Sequence, residues 1–151
     1  MQPRAPVEVR LVTTPDELAT ALRIRYRVFV EEQGVPPELE EDADDAVARH
    51  YLLRVGDAVA GTARLLLRSE GLGKIGRVAV LPEYRGTGRG EGLMRQLIAD
   101  ATVLGCRQLV LDAQVSVVRF YERLGFTAEG EEFLDAGIRH RRMRRTLGER
   151  S

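Results

Sequence analysis

Apolar and polar positions alternate near the start of the chain, with Val7, Val9 and Leu11 set against Glu8 and Arg10. A period of two predicts a strand with one buried face. Thr14-Pro15-Asp16-Glu17 then reads as a helix start: a hydroxyl N-cap, proline at the first helical position, and Glu17 placed to close a capping box. Leu18, Leu22, Tyr26, Phe29 and Val30 continue at helical spacing until Gly34 and Pro36-Pro37 break the pattern. Residues 50–55 and 58–68 predict two strands joined at Gly56-Asp57 as a hairpin. A short, mostly apolar strand follows over 74–81, then a glycine-rich loop over 82–89. Leu93, Met94, Leu97, Ile98 and Ala101 share one face of a helix over 90–104, with Gly105 as its C-terminal cap. A strand over 108–112, a short helix over 115–124 ended by Gly125, and a closing strand pair over 126–133 and 138–147 complete the pattern. Helices that interrupt a largely consecutive sheet indicate an α/β domain of two or three layers.

Composition narrows the class. The chain has 151 residues, which suits a single domain over 1–151. Its 23 basic and 23 acidic residues cancel, so nothing in the balance calls for nucleic acid or an anionic membrane as partner. The charges are unevenly placed: acids crowd into 38–45 and arginines into 139–150. The acidic run is read as a solvated loop in preference to a lure for a cationic acceptor. Cys106 is the only cysteine, so neither an internal disulfide nor a cysteine-based zinc site is available. His50 and His140 lie far apart, and no metal site is expected. Residues 1–6 lack the apolar core of a signal peptide, and no apolar run approaches membrane-spanning length, so a cytoplasmic protein is expected.

The candidate chemistry sits in 77–94, where a strand enters a loop with glycine at alternate positions, Gly86, Gly88 and Gly90, and the loop opens a helix. Glycine permits positive φ and close approach of a ligand. Successive backbone amides can converge on an anion, and the helix N-terminus adds partial positive charge. A Walker loop requires Gly-Lys-Ser/Thr after its spacer, and no such string exists. A Rossmann fingerprint requires G-x-G-x-x-G after the first strand, whereas this loop is spaced G-x-G-x-G and lies past the midpoint.

Arg85-Gly86-Thr87-Gly88-Arg89-Gly90 resembles the signature of the GNAT superfamily of acetyltransferases. So do its flanks, 78–84 and Leu93-Met94, and a second block one strand later, Phe120-Tyr121-Glu122-Arg123-Leu124-Gly125-Phe126. The front block Arg27-Val28-Phe29-Val30-Glu31-Glu32-Gln33 and the tail block Asp135-Ala136-Gly137-Ile138-Arg139-His140 are similar to the ElaA-like and YjcF-like branch. The resemblance covers nearly the whole chain. It implies a mixed α/β fold whose central, mostly antiparallel sheet contains a splayed parallel strand pair flanked by helices. It implies acetyl-CoA as cosubstrate and direct acetyl transfer to an amine of a small molecule or peptide.

Carried over residue by residue, the amides of Arg85, Gly86, Thr87, Gly88, Arg89 and Gly90 would hold the CoA pyrophosphate. The strand residues Val78, Ala79 and Val80 would pair with the pantetheine arm, and an N–H near Val80 would polarise the thioester carbonyl. Tyr121 occupies the position of the acid that protonates the departing thiolate, or else packs beside Phe120 with its hydroxyl merely satisfied. The strand before the loop lacks the carboxylate some members use as base, showing Lys74, Gly76 and Arg77. The base is then a water or one of Glu31, Glu32, Asp112, Asp135 and His140; of these Glu32 and His140 are singled out. His50 is read as a structural residue at a strand edge, and Cys106 as a buried thiol rather than an acyl carrier. The arginine-rich tail is read as a charged edge strand rather than a contact for the CoA 3′-phosphate. The chief alternative is a domain of this fold that senses acyl-CoA without turnover; another is an assembly role. A homodimer is an expectation from related proteins.

Overall fold

The computed structural model describes residues 6–148. The signal-peptide reading of residues 1–5 and the last arginine of the tail, Arg150, lie outside the described residues. The strands are β1 (Val7–Leu11), β2 (Arg49–Val55), β3 (Ala58–Leu67), β4 (Leu72–Val80), β5 (Gln108–Gln114), β6 (Thr127–Asp135) and β7 (Ile138–Thr146). The helices are α1 (Pro15–Arg25), α2 (Pro37–Glu40), α3 (Arg89–Val103) and α4 (Val118–Arg123). All strands join one sheet in the order β1-β2-β3-β4-β5-β7-β6. Neighbours are antiparallel except β4 and β5, the expected parallel pair.

The sheet has helices on both faces, which settles the layer count at three. Leu93, Met94, Leu97, Ile98 and Ala101 of α3 bury against Tyr51, Leu53, Leu65, Ile75 and Leu109 of the strands. The opposite face receives α1, whose Ile24, with Val28, meets Ala79 and Leu81. Thr14 caps α1 as the sequence predicts, its side chain accepting from the Glu17 amide while Glu17 accepts from the Thr13 amide. After Arg25 the helix widens into a π-helical stretch, Tyr26–Glu32. Such stretches are rare and mark places where a helix is reshaped for its surroundings; the periodicity of apolar residues gives no sign of it.

Three expectations are corrected. Residues 38–45 form no solvated loop: α2 and a 3₁₀ turn, Ala43–Ala46, fold them onto arginines of the sheet and of α1. The arginine-rich strand β7 is not an edge, because it lies between β5 and β6 with Met143 fully buried. Its guanidiniums are matched across the strands by Asp112 and Glu129. His50 is likewise internal, buried on β2 between β1 and β3, where its Nε2 donates to the Asp45 carbonyl.

The feature that shapes the site is the separation of β4 from β5. Their register covers only Leu72–Gln108, Gly73–Leu109 and Lys74–Val110. At this junction Gly73 is closely packed: a Cβ there would lie 2.8 Å from Leu109 Cδ2 and 3.0 Å from Cys106 Sγ, so a side chain would have to displace Leu109. Beyond Lys74 the strands part. β4 also carries a bulge: Thr62 pairs Ala79 and Arg64 pairs Gly76, so Arg77 and Val78 together oppose Ala63. Arg77 takes φ 51° there, a left-handed conformation that costs a residue with a Cβ about 1–3 kcal/mol unless its surroundings hold it.

Candidate active site

Arg77 is held by an ionic network beneath the parted strands. Its Nε donates to the Glu40 carbonyl and to Glu40 Oε2, each at 3.0 Å, and its Nη2 to Asp42 Oδ2 at 3.2 Å. Glu40 also receives Arg25, which reaches Asp45 at 2.7 Å. Asp45 and Asp42 both receive Arg64 Nη1 at 2.7 Å. Arg25, Glu40 and Arg64 are only 1%, 4% and 5% exposed, and charges so deep in a protein persist only when paired. Burial alone would raise the Asp45 carboxyl, but hydrogen bonds from Arg25, the Asp42 amide and Arg64 hold it far below the usual carboxylate range. The network ties α1, α2 and the 3₁₀ turn to β3 and to the β4 bulge.

Strand geometry fixes what β4 offers to the opening. Leu81 donates its N–H to the Ala60 carbonyl on the β3 side. Backbone groups alternate along a strand, so Val80 turns its N–H and C=O toward the open side. The Val80 carbonyl accepts there from Arg85 Nε at 2.7 Å. An open strand edge of this kind can pair with an extended ligand.

The loop follows directly. Gly86 and Gly88 adopt φ 86° and 81°, and Gly88 is the left-handed N-cap of α3 with no side-chain cap. The Arg85 amide bonds the Pro82 carbonyl and the Gly92 amide bonds the Gly88 carbonyl. Between them, the amides of residues 86–91 have no acceptor among the described residues, leaving a run of donors directed by the helix N-terminus. Arg89 turns away and lies over the Tyr84 ring at 5.6 Å.

Loop, open strand edge and α4 line a single cleft of about 850 Å³, within the range of small-molecule sites. Of the sequence candidates, Val78, Ala79, Val80, Arg85, Gly86, Gly88, Gly90, Tyr121 and His140 line it, as do Asp112 and Asp135; Thr87, Arg89, Glu31 and Glu32 do not. Tyr121 is 7% exposed, its ring set edge-on to Phe120 and Phe126. Its hydroxyl has no partner among the described residues, and burial pushes its pKa up. His140 shares a rung with Gln114 of β5 and stacks on Phe133. Its Nδ1 lies 2.7 Å from the Ile138 carbonyl. A carbonyl only accepts, so Nδ1 carries the hydrogen and Nε2 keeps a lone pair when the ring is neutral.

Glu32 is differently placed. Both its oxygens receive Arg85 at 2.8 Å, and these bonds hold its carboxyl below the usual range. It anchors Arg85 to the end of the first helix. Asp112 is occupied by Arg142 Nε at 2.6 Å. Burial raises the Cys106 thiol, which favours its un-ionised form. A hydrogen bond from Gln114 Nε2 to Gln33 Oε1, at 2.8 Å, joins two residues that line the cleft; the sequence marks Gln33 only as the end of the front block and Gln114 not at all, since a pair 81 positions apart leaves no local pattern. Among the described residues no cluster of three or more His, Cys, Asp or Glu could hold a metal, and no helix is long and apolar enough to cross a membrane.

Residues 12–147 match the model of the acetyltransferase (GNAT) domain family. The chain is 36% identical over 129 residues to a Bacillus subtilis protein named uncharacterized N-acetyltransferase YjcF, covering 85% of this chain and 91% of the relative. The crystal structure of an acyl-CoA N-acyltransferase from Pseudomonas aeruginosa superposes with TM-score 0.81 at 32% identity, over 94% of this chain and 99% of that one. Escherichia coli ElaA superposes with TM-score 0.83 at 29% identity, over 93% of this chain and 99% of that one.

Proposed function

The chain belongs to the GNAT family of acetyltransferases, and we propose that its cleft lays acetyl-CoA along β4 and passes the acetyl group directly to an amine. The observation that carries this reading is the meeting in one cleft of the loop residues Gly86, Gly88, Gly90 and Glu91, whose amides have no acceptor among the described residues, the open edge of Val78–Val80 and the unpartnered Tyr121 hydroxyl. In the proposed arrangement the pyrophosphate takes the amides, and the pantetheine arm adds to β4 as an extra strand. The thioester then lies where β4 and β5 have parted, with the Val80 N–H directed at its carbonyl oxygen.

The amine attacks the acetyl carbon as the neutral base, the C–N bond forms, and the C–S bond breaks to release CoA thiolate. Holding both reactants in the cleft supplies much of the rate. Tyr121 donates the proton that the thiolate takes up, and its raised pKa keeps that proton in place through the neutral range. His140 Nε2 accepts the proton lost by the amine, directly or through water; Glu32, committed to Arg85, is no part of the proposed chemistry. One domain over 1–151 carries the reaction without a metal. The acceptor, a small-molecule or peptide amine, meets it in the cytoplasm, where acetyl-CoA is the donor, and a homodimer completes the proposal.

Thiol release from acetyl-CoA, measured with and without a panel of amines, tests the reading. Amine-dependent release is expected, and Tyr121→Phe is expected to lower kcat by roughly 100-fold with the KM for acetyl-CoA little changed. An unchanged kcat would return Tyr121 to a packing role. Binding of acetyl-CoA without turnover on any amine would favour the sensor alternative.

A further inference from the structure

The cleft extends past the parting point into a second half, toward α2 and the β6–β7 turn, where the acceptor would enter. The charges there are distributed in a telling way. Glu40 is neutralised by Arg25 and Arg77, and Asp112 by Arg142. Lys74 lines the cleft at the last rung shared by β4 and β5, and its ammonium has neither an ion pair nor a hydrogen bond among the described residues. Three positions further on, Arg77 also lines the cleft; its Nε and Nη2 are engaged, but its Nη1 has no acceptor among the described residues. Gly76, between them on the wall, leaves room, since a Cβ there would meet nothing closer than Arg64 Nε at 4.0 Å. The free acid, Asp135, and His140 stand on the other side, at the β6–β7 turn.

We infer that this half of the cleft is built for an amine that carries a carboxylate at its far end, with Lys74 and the free edge of Arg77 as the anion seat. The inference rests on the acetyl-transfer reading only for the location of the amine. Register gives the spacing. Lys74 is opposite Val110, and His140 is opposite Gln114; four residues of strand span about 13 Å at ~3.3 Å each. The long Lys74 side chain shortens that span. An acceptor that reaches both ends therefore separates its amine and carboxylate by a chain of several bonds, as in an ω-amino acid or a free lysine that takes the acetyl group on its side-chain amine. An α-amino group beside its own carboxylate is too compact.

The test compares matched pairs that differ in the carboxylate: 6-aminohexanoate against hexylamine, and lysine against 1,5-diaminopentane. Calorimetric binding is measured on the purified protein with and without CoA, and thiol release from acetyl-CoA is measured in parallel. The carboxylate partner of each pair is expected to bind and react at least about tenfold better, the weight of one charge-assisted hydrogen bond. Lys74→Gln should erase the preference and Lys74→Arg should keep most of it, with hexylamine unaffected by either change. Equal behaviour within each pair, or a preference that survives Lys74→Gln, overturns the seat even if amines are acetylated. A Lys74-dependent preference in binding with no thiol release supports the seat and counts against the transfer reading instead.

Discussion

Two arginine–carboxylate groups flank β4, and they are built on opposite principles. On one side Arg25, Arg64 and Arg77 close on Glu40, Asp42 and Asp45 with the first two arginines and Glu40 withdrawn from water. On the other, Arg85 grips Glu32 with side chains 41% and 39% exposed, beside a loop whose amides at 86–91 have no partner among the described residues. An exposed pair of this kind contributes little, about 0–1 kcal/mol, and is readily exchanged for another anion. Removing one member of a buried network instead strands a charge in a poorly polarisable interior. The same pairing chemistry thus makes a fixed frame where water is excluded and an exchangeable contact where it is not. Between them runs the strand that is bulged on one edge and unpaired beyond Lys74 on the other.

The largest effect is expected from the loss of Arg25. Arg25→Ala leaves Glu40 and Asp45 short of a partner and is expected to cost about 3–5 kcal/mol, roughly 10 °C in Tm for a domain of this size. Thermal unfolding monitored by circular dichroism checks it. A loss as small as that expected for Glu32→Gln would show that burial does not separate the two groups. Next in size is Gly88→Val. Nothing lies within 4 Å of a Cβ at Gly88, but φ there is 81°, so the substitution strains the backbone rather than crowding a neighbour. Acetyl-CoA affinity by calorimetry is expected to fall more than tenfold, with Tm shifted by only a few degrees. The smallest effect is the response to acid. Asp42 and Asp45 have pKa values lowered in the folded state, so their contribution is present above the unfolded value, near 4, and is lost as pH falls below it. Tm should begin to decline near about pH 5 and keep declining below about pH 3, and the decline should be shallower in Asp45→Asn.

The sequence is legible where one element announces itself. Thr14 to Glu17, the apolar face of α3 and the glycines of the loop each carry their signal within a few residues, and the structure places them as expected. Partnerships across the chain are illegible for a physical reason. Glu38 to Asp45 read as a solvated loop because acids in sequence look alike whether they meet water or arginine. Arg25, Arg64 and Arg77, lying in three different elements, supply their partners. The interior place of β7 is illegible for the same reason: its run of arginines suits an edge until Asp112 and Glu129 are seen opposite Arg142 and Arg144. Within the site, the loop and Tyr121 were visible as motifs. Lys74 was visible only as an unsuitable base, because its freedom from ion pairs is a property of the folded cleft.

Gly73 has a mechanical side. The opening between β4 and β5 is a wedge with its apex at three rungs, and Gly73 sits in the middle one. Every rung further from the apex amplifies a change of angle there, as a lever amplifies a small turn at its fulcrum. A methyl group at Gly73, pressed against Leu109 and Cys106, would therefore be felt most strongly at Val80 and Gln114, the far end of the arms. Loop residues at the mouth can vary with local effect, whereas the fulcrum sets the gauge of the whole aperture.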